Sequence, residues 1–187
     1  MAIEIEAKIK IAQISLIEAR VKSYGGKLLQ QVTQRDYFFD RLDRSLLNND
    51  RGLRIRRETS AAISKTILCY KGPRDKGSSY KSRQELELEV ADFDTAREFL
   101  QGLDFELTLA FEKKRDLWQL DDCWVCLDEV VELGSFVEVE GPSQAAVRGV
   151  LEKLELGGQS QMQDSYAVML AKLLPEREGL DPQALFF

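Results

Sequence analysis

Along the first ten residues Ile3, Ile5, Ala7 and Ile9 alternate with Glu4, Glu6, Lys8 and Lys10, the period-2 pattern of a β-strand with one apolar and one charged face. The pattern returns where Leu53 and Ile55 alternate with Arg54 and Arg56, where Leu86, Leu88 and Val90 alternate with Glu85, Glu87 and Glu89, and where Val137 and Val139 alternate with Glu138 and Glu140. Strands are also expected at Ser64 to Tyr70, Leu107 to Lys114, Arg115 to Leu120 and Trp124 to Val130, making about eight. Helical spacing predicts a helix from Ile11 to Tyr24, with Ile14, Ile17 and Val21 on one face and a stop at Gly25-Gly26. Further helices are expected over Asp94 to Leu103 with Asp92 or Asp94 as cap, over Ser143 to Leu156, and over Asp164 to Leu174, which Pro175 ends. Strands and helices do not alternate regularly, so a mostly antiparallel α+β arrangement fits better than a doubly wound sheet. Lys71-Gly72-Pro73 through Tyr80 reads as a mobile loop, with glycine and serine among charges. Residues 175–187 form a tail, polar until Leu185-Phe186-Phe187, that either docks by those last residues or is disordered.

A chain of 187 residues that is 44% hydrophobic can bury one sizeable core. Its 26 basic against 32 acidic side chains leave a net charge of −6, which excludes a protein that coats nucleic acid or an anionic membrane through bulk charge. Any polyanion it binds must meet a local basic site. No apolar run approaches the ~20 residues of a membrane span, and the N-terminus lacks the pattern of a signal peptide, so the expected compartment is the cytosol. Cys69, Cys123 and Cys126 are expected as free thiols; the C-x-x-C spacing at Cys123 has no second pair to complete a zinc site, and its two members have opposite strand parity. The absence of histidine excludes Ser-His-Asp and Cys-His mechanisms and any His-containing zinc site.

An ordinary sheet with one wet face would also alternate, yet here whole runs are charged and like charges recur about 7 Å apart along a strand. If the sheet curls so that these faces line a cavity, Lys8, Arg54, Arg56, Lys71 and one or more of Lys113, Lys114 and Arg115 point inward. Such cations match a compact polyanion, with arginine forks suited to bidentate phosphate contacts. Glu4, Glu6, Glu138, Glu140 and Asp128 would supply hard oxygen ligands, which favour Mg²⁺ or Mn²⁺. A nucleoside triphosphate or inorganic polyphosphate is the substrate class this suggests, recognised by side chains, because no glycine-rich phosphate loop is present. Glu87 and Glu89 read equally as interior groups or solvated charges. Lys10, Lys114 and Glu129 read as exterior, Trp118 and Trp124 as core, Tyr37 to Phe39 as strand packing, and Tyr166 as either core or site.

Glu4-Ile5-Glu6-Ala7-Lys8 resembles the E-x-E-x-K signature of CYTH domains, the triphosphate tunnel metalloenzymes that include class IV adenylyl cyclases and thiamine triphosphatases. The resemblance is carried further by Arg35 to Asp40, Leu53 to Arg56, Tyr70 to Pro73, Arg83 to Glu87, Lys113 to Arg115, Leu127 to Glu129 and Leu133 to Glu140. It runs from about residue 1 to 174 and is strongest toward the cyclase branch. It implies a CYTH domain over 1–174, with 175–187 as a C-terminal tail, and a fold that is an eight-stranded antiparallel β-barrel tunnel with flanking helices. By the same resemblance Lys8, Arg54, Arg56, Lys71, Lys113 and Arg115 bind triphosphate, and Glu4, Glu6, Glu138 and Glu140 bind metal. Lys113, Arg115, Asp128 and Tyr166 match catalytic positions. The implied activity is conversion of ATP to cyclic AMP and pyrophosphate, with a triphosphatase or a non-catalytic polyanion-binding domain as alternatives. A homodimer is compatible with the resemblance, although no interface is readable.

Overall fold

A strand that is apolar on one side and charged on the other must set its first side against a core and its second against countercharge or water. One curled antiparallel sheet meets both demands. The computed structural model describes residues 5–62, 64–74, 83–176 and 181–187. Its strands are β1 (Ile5–Lys10), β2 (Lys27–Asp40), β3 (Gly52–Thr59), β4 (Ser64–Arg74), β5 (Arg83–Val90), β6 (Glu106–Leu120), β7 (Cys123–Val130) and β8 (Gly134–Gly141). They pair in the order β1-β8-β7-β6-β2-β3-β4-β5, every neighbour antiparallel, and curl into a half-barrel. The helices are α1 (Ile14–Ser23), α2 (Ser45–Asn48), α3 (Phe93–Gly102), α4 (Gln144–Lys153) and α5 (Tyr166–Leu173). None is long and apolar enough to cross a membrane.

The outer face of the sheet is covered in two places. Against β1, β7 and β8, the side chains of Ile9, Val125, Val137 and Val139 pack with Val21 of α1 and Val147, Val150 and Leu151 of α4. Leu100 of α3 packs on Phe39 and Ile55. Full burial of side chains of this size stabilises by roughly 1.5–3 kcal/mol each. The inner face divides along its length: one end is apolar, with Phe111, Val130 and Phe136 beneath Tyr166 and Leu170 of α5, and the rest carries the charges.

Local chemistry sets the helix ends. Asp92, Ser143 and Ser165 accept hydrogen bonds from the backbone N–H groups of Thr95, Ala146 and Val168, capping α3, α4 and α5. After α1 the chain turns at Gly25, whose φ of +80° suits glycine, and a Cβ on Gly26 would stand 2.4 Å from Val21 Cγ1.

Four expectations are corrected. The separate strands at Leu107 and Arg115 are one 15-residue strand, β6. The 14-residue β2 was not expected as a strand beyond the packing of Tyr37 to Phe39; register shifts at Leu28/Gln30 and Phe38/Phe39, and buried Gln34, Asp36 and Asp40, break its apolar alternation. Lys71 to Arg74 continue β4, while residues 75–80 of the expected loop lie outside the described residues. Trp118 is buried as expected, but Trp124 is 42% exposed.

The tail docks. Because β6 pairs with β7 only from Lys113 onward, an edge of its first half is vacant, and the last residues occupy it. Ala110 donates to Pro182 O at 2.8 Å, Glu112 to Leu185 O at 2.8 Å, and Leu185 to Ala110 O at 3.1 Å. Leu185 is buried beside Phe111, so Leu185→Ala should lower the unfolding free energy by about 2–3 kcal/mol in denaturant titrations. A change below about 0.5 kcal/mol would mean that the docking contributes nothing to stability.

Candidate functional site

Strand parity carries the charged side chains inward. In the registers Lys8↔Glu138, Asp36↔Arg56, Lys71↔Glu85 and Arg115↔Asp128, each pair shares the inner face. The inner face bounds a cavity of about 390 Å³. Among its lining residues are all six expected triphosphate-binding cations, Lys8, Arg54, Arg56, Lys71, Lys113 and Arg115, together with Glu6, Glu138, Glu140 and Tyr166. Glu4 lies outside the described residues. Lys10 and Lys114 are exposed, as is Glu129. A second cavity, of about 470 Å³, lies beside α4 and the Gly157-Gly158 turn, and none of these site residues lines it.

Two buried carboxylates hold the cations in place. Asp36 accepts from Arg56 Nε at 2.6 Å and Nη2 at 2.8 Å, and from Arg54 Nη1 at 3.4 Å. Burial acts to raise the Asp36 carboxyl, but the guanidiniums of Arg56 and Arg54 overcome it and hold it well below the usual carboxylate range. Asp128, fully buried beneath the cavity, accepts from Arg115 Nε at 2.6 Å, Lys113 Nζ at 3.2 Å and the Tyr166 hydroxyl at 3.0 Å. Its carboxyl is also lowered, burial being outweighed by Arg115 and Lys113. Tyr166 is thus both core and site: its ring packs edge-on against Phe136, Lys8 Nζ stands 4.2 Å from its centroid, and burial followed by Asp128 pushes its hydroxyl well up.

Not every donor of these cations is satisfied. Arg54 is 9% exposed, and its Nε has no hydrogen-bond partner among the described residues. An unpaired buried donor costs about 1–3 kcal/mol, and an anion in the cavity would satisfy it. Lys113 is buried, and desolvation, with Arg115 next in weight, lowers it to about 8 despite Asp128.

On the β1 and β8 side Lys8 Nζ lies 3.1 Å from Glu138 Oε1, and Arg115 also bonds Glu138. Glu6 and Glu140 face each other across the strands, and Glu140 is raised by burial and then by Glu6. This all-oxygen set, crowded with like charge, fits a hard divalent cation. A different cluster places donor atoms of Cys69, Glu85 and Glu87 within 4.8 Å of one another. There Glu85 is already bound by Lys71 and Glu87 is 3.9 Å from Arg54, while burial raises the Cys69 thiol away from its ligating form.

Sequence reasoning missed Asp36, Glu85 and Cys69. Asp36 was hidden in a strand without alternation, whereas the parity of Lys71 and Arg54, paired with an antiparallel β5, was the signal for the other two. Cys126 is also on the inner face, its thiol pushed up to about 12 by burial, and Cys123 is buried, so the cysteines are the expected free thiols.

Comparison with known proteins agrees with this geometry. The CYTH domain family model matches residues 2–166. The chain belongs to the CYTH domain family. It is 32% identical over 139 residues to MJ0240 of Methanocaldococcus jannaschii, which carries a provisional adenylate cyclase name, covering 74% of this chain and 76% of that protein. The CYTH fold is also that of the PH1819 protein of Pyrococcus horikoshii, with TM-score 0.77, 28% identity, and coverage of 93% of this chain and 99% of that one. HpAC1 of Hippeastrum, provisionally named an adenylyl cyclase and described as having a dominant triphosphatase activity, shares the fold at TM-score 0.69 and 19% identity, over 92% and 96% of the two chains.

In this CYTH cavity the desolvated Lys113 should be visible in solution. Lysine side-chain NMR should show a midpoint near 8 that disappears in Lys113→Arg. A Lys113 midpoint at or above the ordinary value of about 10.4 would contradict the burial argument.

Proposed function

We propose that this CYTH protein is a metal-dependent triphosphate-processing enzyme that converts ATP to cyclic AMP and pyrophosphate. The observation that carries the reading is the convergence of six cations from four strands on one cavity whose far wall holds Glu6, Glu138 and Glu140. The provisional cyclase name of the 32% identical relative favours cyclisation over hydrolysis.

Mg²⁺ or Mn²⁺ would be held by Glu6, Glu138 and Glu140, with Glu4 as the further carboxylate of the motif; when bound it offsets phosphate charge and eases deprotonation of the attacking hydroxyl. Lys8, Arg54, Arg56 and Lys71 bind the triphosphate oxygens and fix its direction in the cavity. The ribose 3′-oxygen loses its proton to solvent and bonds to the α-phosphorus while the bond from that phosphorus to the bridging oxygen breaks, releasing pyrophosphate. Arg115 and Lys113 stabilise the charge that develops on the phosphoryl oxygens. Asp128 acts beneath them as a positioning residue, fixing Arg115, Lys113 and the Tyr166 hydroxyl, so that little reorganisation is required during reaction.

Purified protein incubated with ATP and Mg²⁺ or Mn²⁺ should yield cyclic AMP and pyrophosphate, resolved by chromatography. Arg115→Ala should lower kcat at saturating ATP by about 100-fold or more. Orthophosphate without cyclic AMP would replace the cyclase with a triphosphatase, since the same fold can present a different phosphorus to the nucleophile. Binding without turnover of ATP, tripolyphosphate or thiamine triphosphate would leave a polyanion-binding domain.

A further inference from the structure

The docked tail reaches the charged cavity through α5. Leu185 is buried in the same apolar cluster as Phe111, Phe136, Tyr166 and Leu170. Tyr166 is the first residue of α5, and its hydroxyl donates to Asp128, the carboxylate that also holds Arg115 and Lys113. The tail is thus linked by packing to two cations of the cavity.

α5 needs support from outside itself. It has eight residues, and an isolated helix shorter than roughly 12–15 residues is marginal in water. Its approach is tied to β1, where Met162 N donates to Lys8 O at 2.7 Å and Lys8 Nζ donates to Asp164 O at 3.3 Å. Further along the helix, Leu170 is buried in the cluster that Leu185 completes. Leu185 supports α5 beyond the reach of those two bonds.

The tail is built as a strap and not as a further core strand. Of residues 181–187 only Leu185 is buried. Besides the backbone bonds to β6, Gln183 Nε2 donates to Leu107 O at 3.0 Å from an exposed position. Phe186 lies on the opposite side of the tail from Leu185, its ring centroid 6.2 Å from that of Tyr37 and 5.0 Å from the Arg35 guanidinium. Lys114 Nζ stands 4.3 Å from the centroid of the exposed Phe187 ring. A segment with one buried side chain and exposed hydrogen bonds belongs to the low-stability end of a structure, where opening leaves the rest folded. It also lies beyond residues 2–166, the span that the CYTH model matches.

We propose that Leu185 is a positioning residue: the docked tail holds α5 on the sheet, and so keeps the Tyr166 hydroxyl on Asp128 and the Arg115 guanidinium at the cavity wall. Its effect on turnover rests on the reading of that cavity as a triphosphate-processing site.

The test uses full-length wild type, Leu185→Asp, Leu185→Met and Phe186→Ala, comparing amide hydrogen exchange and steady-state turnover of ATP with Mg²⁺ or Mn²⁺. A buried carboxylate at 185 should expel the tail, and exchange at Met169 to Leu173 of α5 should rise about tenfold or more while α1 and α4 keep their protection. With Arg115 less well placed, kcat should fall by about 10- to 100-fold and KM for ATP stay within about threefold. Leu185→Met should keep both properties, and Phe186→Ala, which weakens docking from the side away from α5, should shift both in the same direction as Leu185→Asp. Unchanged α5 exchange in Leu185→Asp would overturn the proposal, as would faster exchange with unchanged kcat. If Leu185→Asp lost protection in α1 and α4 as well, Phe186→Ala would decide, and a loss there not confined to α5 would make the tail an ordinary part of the fold. A wild type that turned over no triphosphate would remove the enzyme reading, while the exchange result would still test the strap by itself.

Discussion

Charge enclosed within the half-barrel is the constraint on which the rest of the structure depends. Taking a single ion out of water costs several kcal/mol even after relaxation, and the attraction of a partner offsets this only with good geometry. The fold supplies that geometry twice, with a buried aspartate set between two cations each time: Asp36 with Arg54 and Arg56, and Asp128 with Lys113 and Arg115. Both are cross-strand arrangements, so they exist only when β2 meets β3 and β6 meets β7 in register. A one-residue slip would turn these side chains toward the outer apolar faces. The ion groups therefore make the register specific while the outer cores under α1, α3 and α4 supply burial.

The same arrangement explains why the cavity suits a polyanion. With Asp36 and Asp128 each shared between two cations, charge remains directed into the cavity, and at Arg54 Nε a donor remains unsatisfied. On the opposite wall Glu6, Glu138 and Glu140 accumulate like charge, which burial and Glu6 register as a raised Glu140 carboxyl. Excess positive charge on one wall and excess negative charge on the other match a phosphate chain and a divalent metal bound together. Closing elements complete the enclosure: α5 and the docked Leu185 cover the apolar end, and Asp40 with Asp50 holds α2 at the mouth.

How much of this was legible in the sequence follows from the physics of each element. β1, β3, β5 and β8 were readable because one side is apolar and the other charged, a pattern that survives without knowledge of neighbours. The inner placement of Lys8, Arg54, Arg56, Glu138 and Glu140 followed from that parity once the sheet was taken to curl. β2 was not readable, because its buried residues include Gln34, Asp36 and Asp40, whose burial makes sense only beside Arg54, Arg56 and the N–H groups of α2. α2 was equally hidden, since four residues carry no period and the helix depends on a carboxylate from another element. The caps of α3, α4 and α5 were local, and there the expected helices and the observed ones agree to within a few residues.

The most direct measurement is anomalous diffraction from crystals of the protein soaked with Mn²⁺ and inorganic tripolyphosphate. The account predicts an Mn²⁺ peak among Glu6, Glu138 and Glu140, with phosphate oxygens against Arg54, Arg56 and Lys71. Phosphate density outside the inner face, or Mn²⁺ bound at Cys69, Glu85 and Glu87 instead, would contradict it.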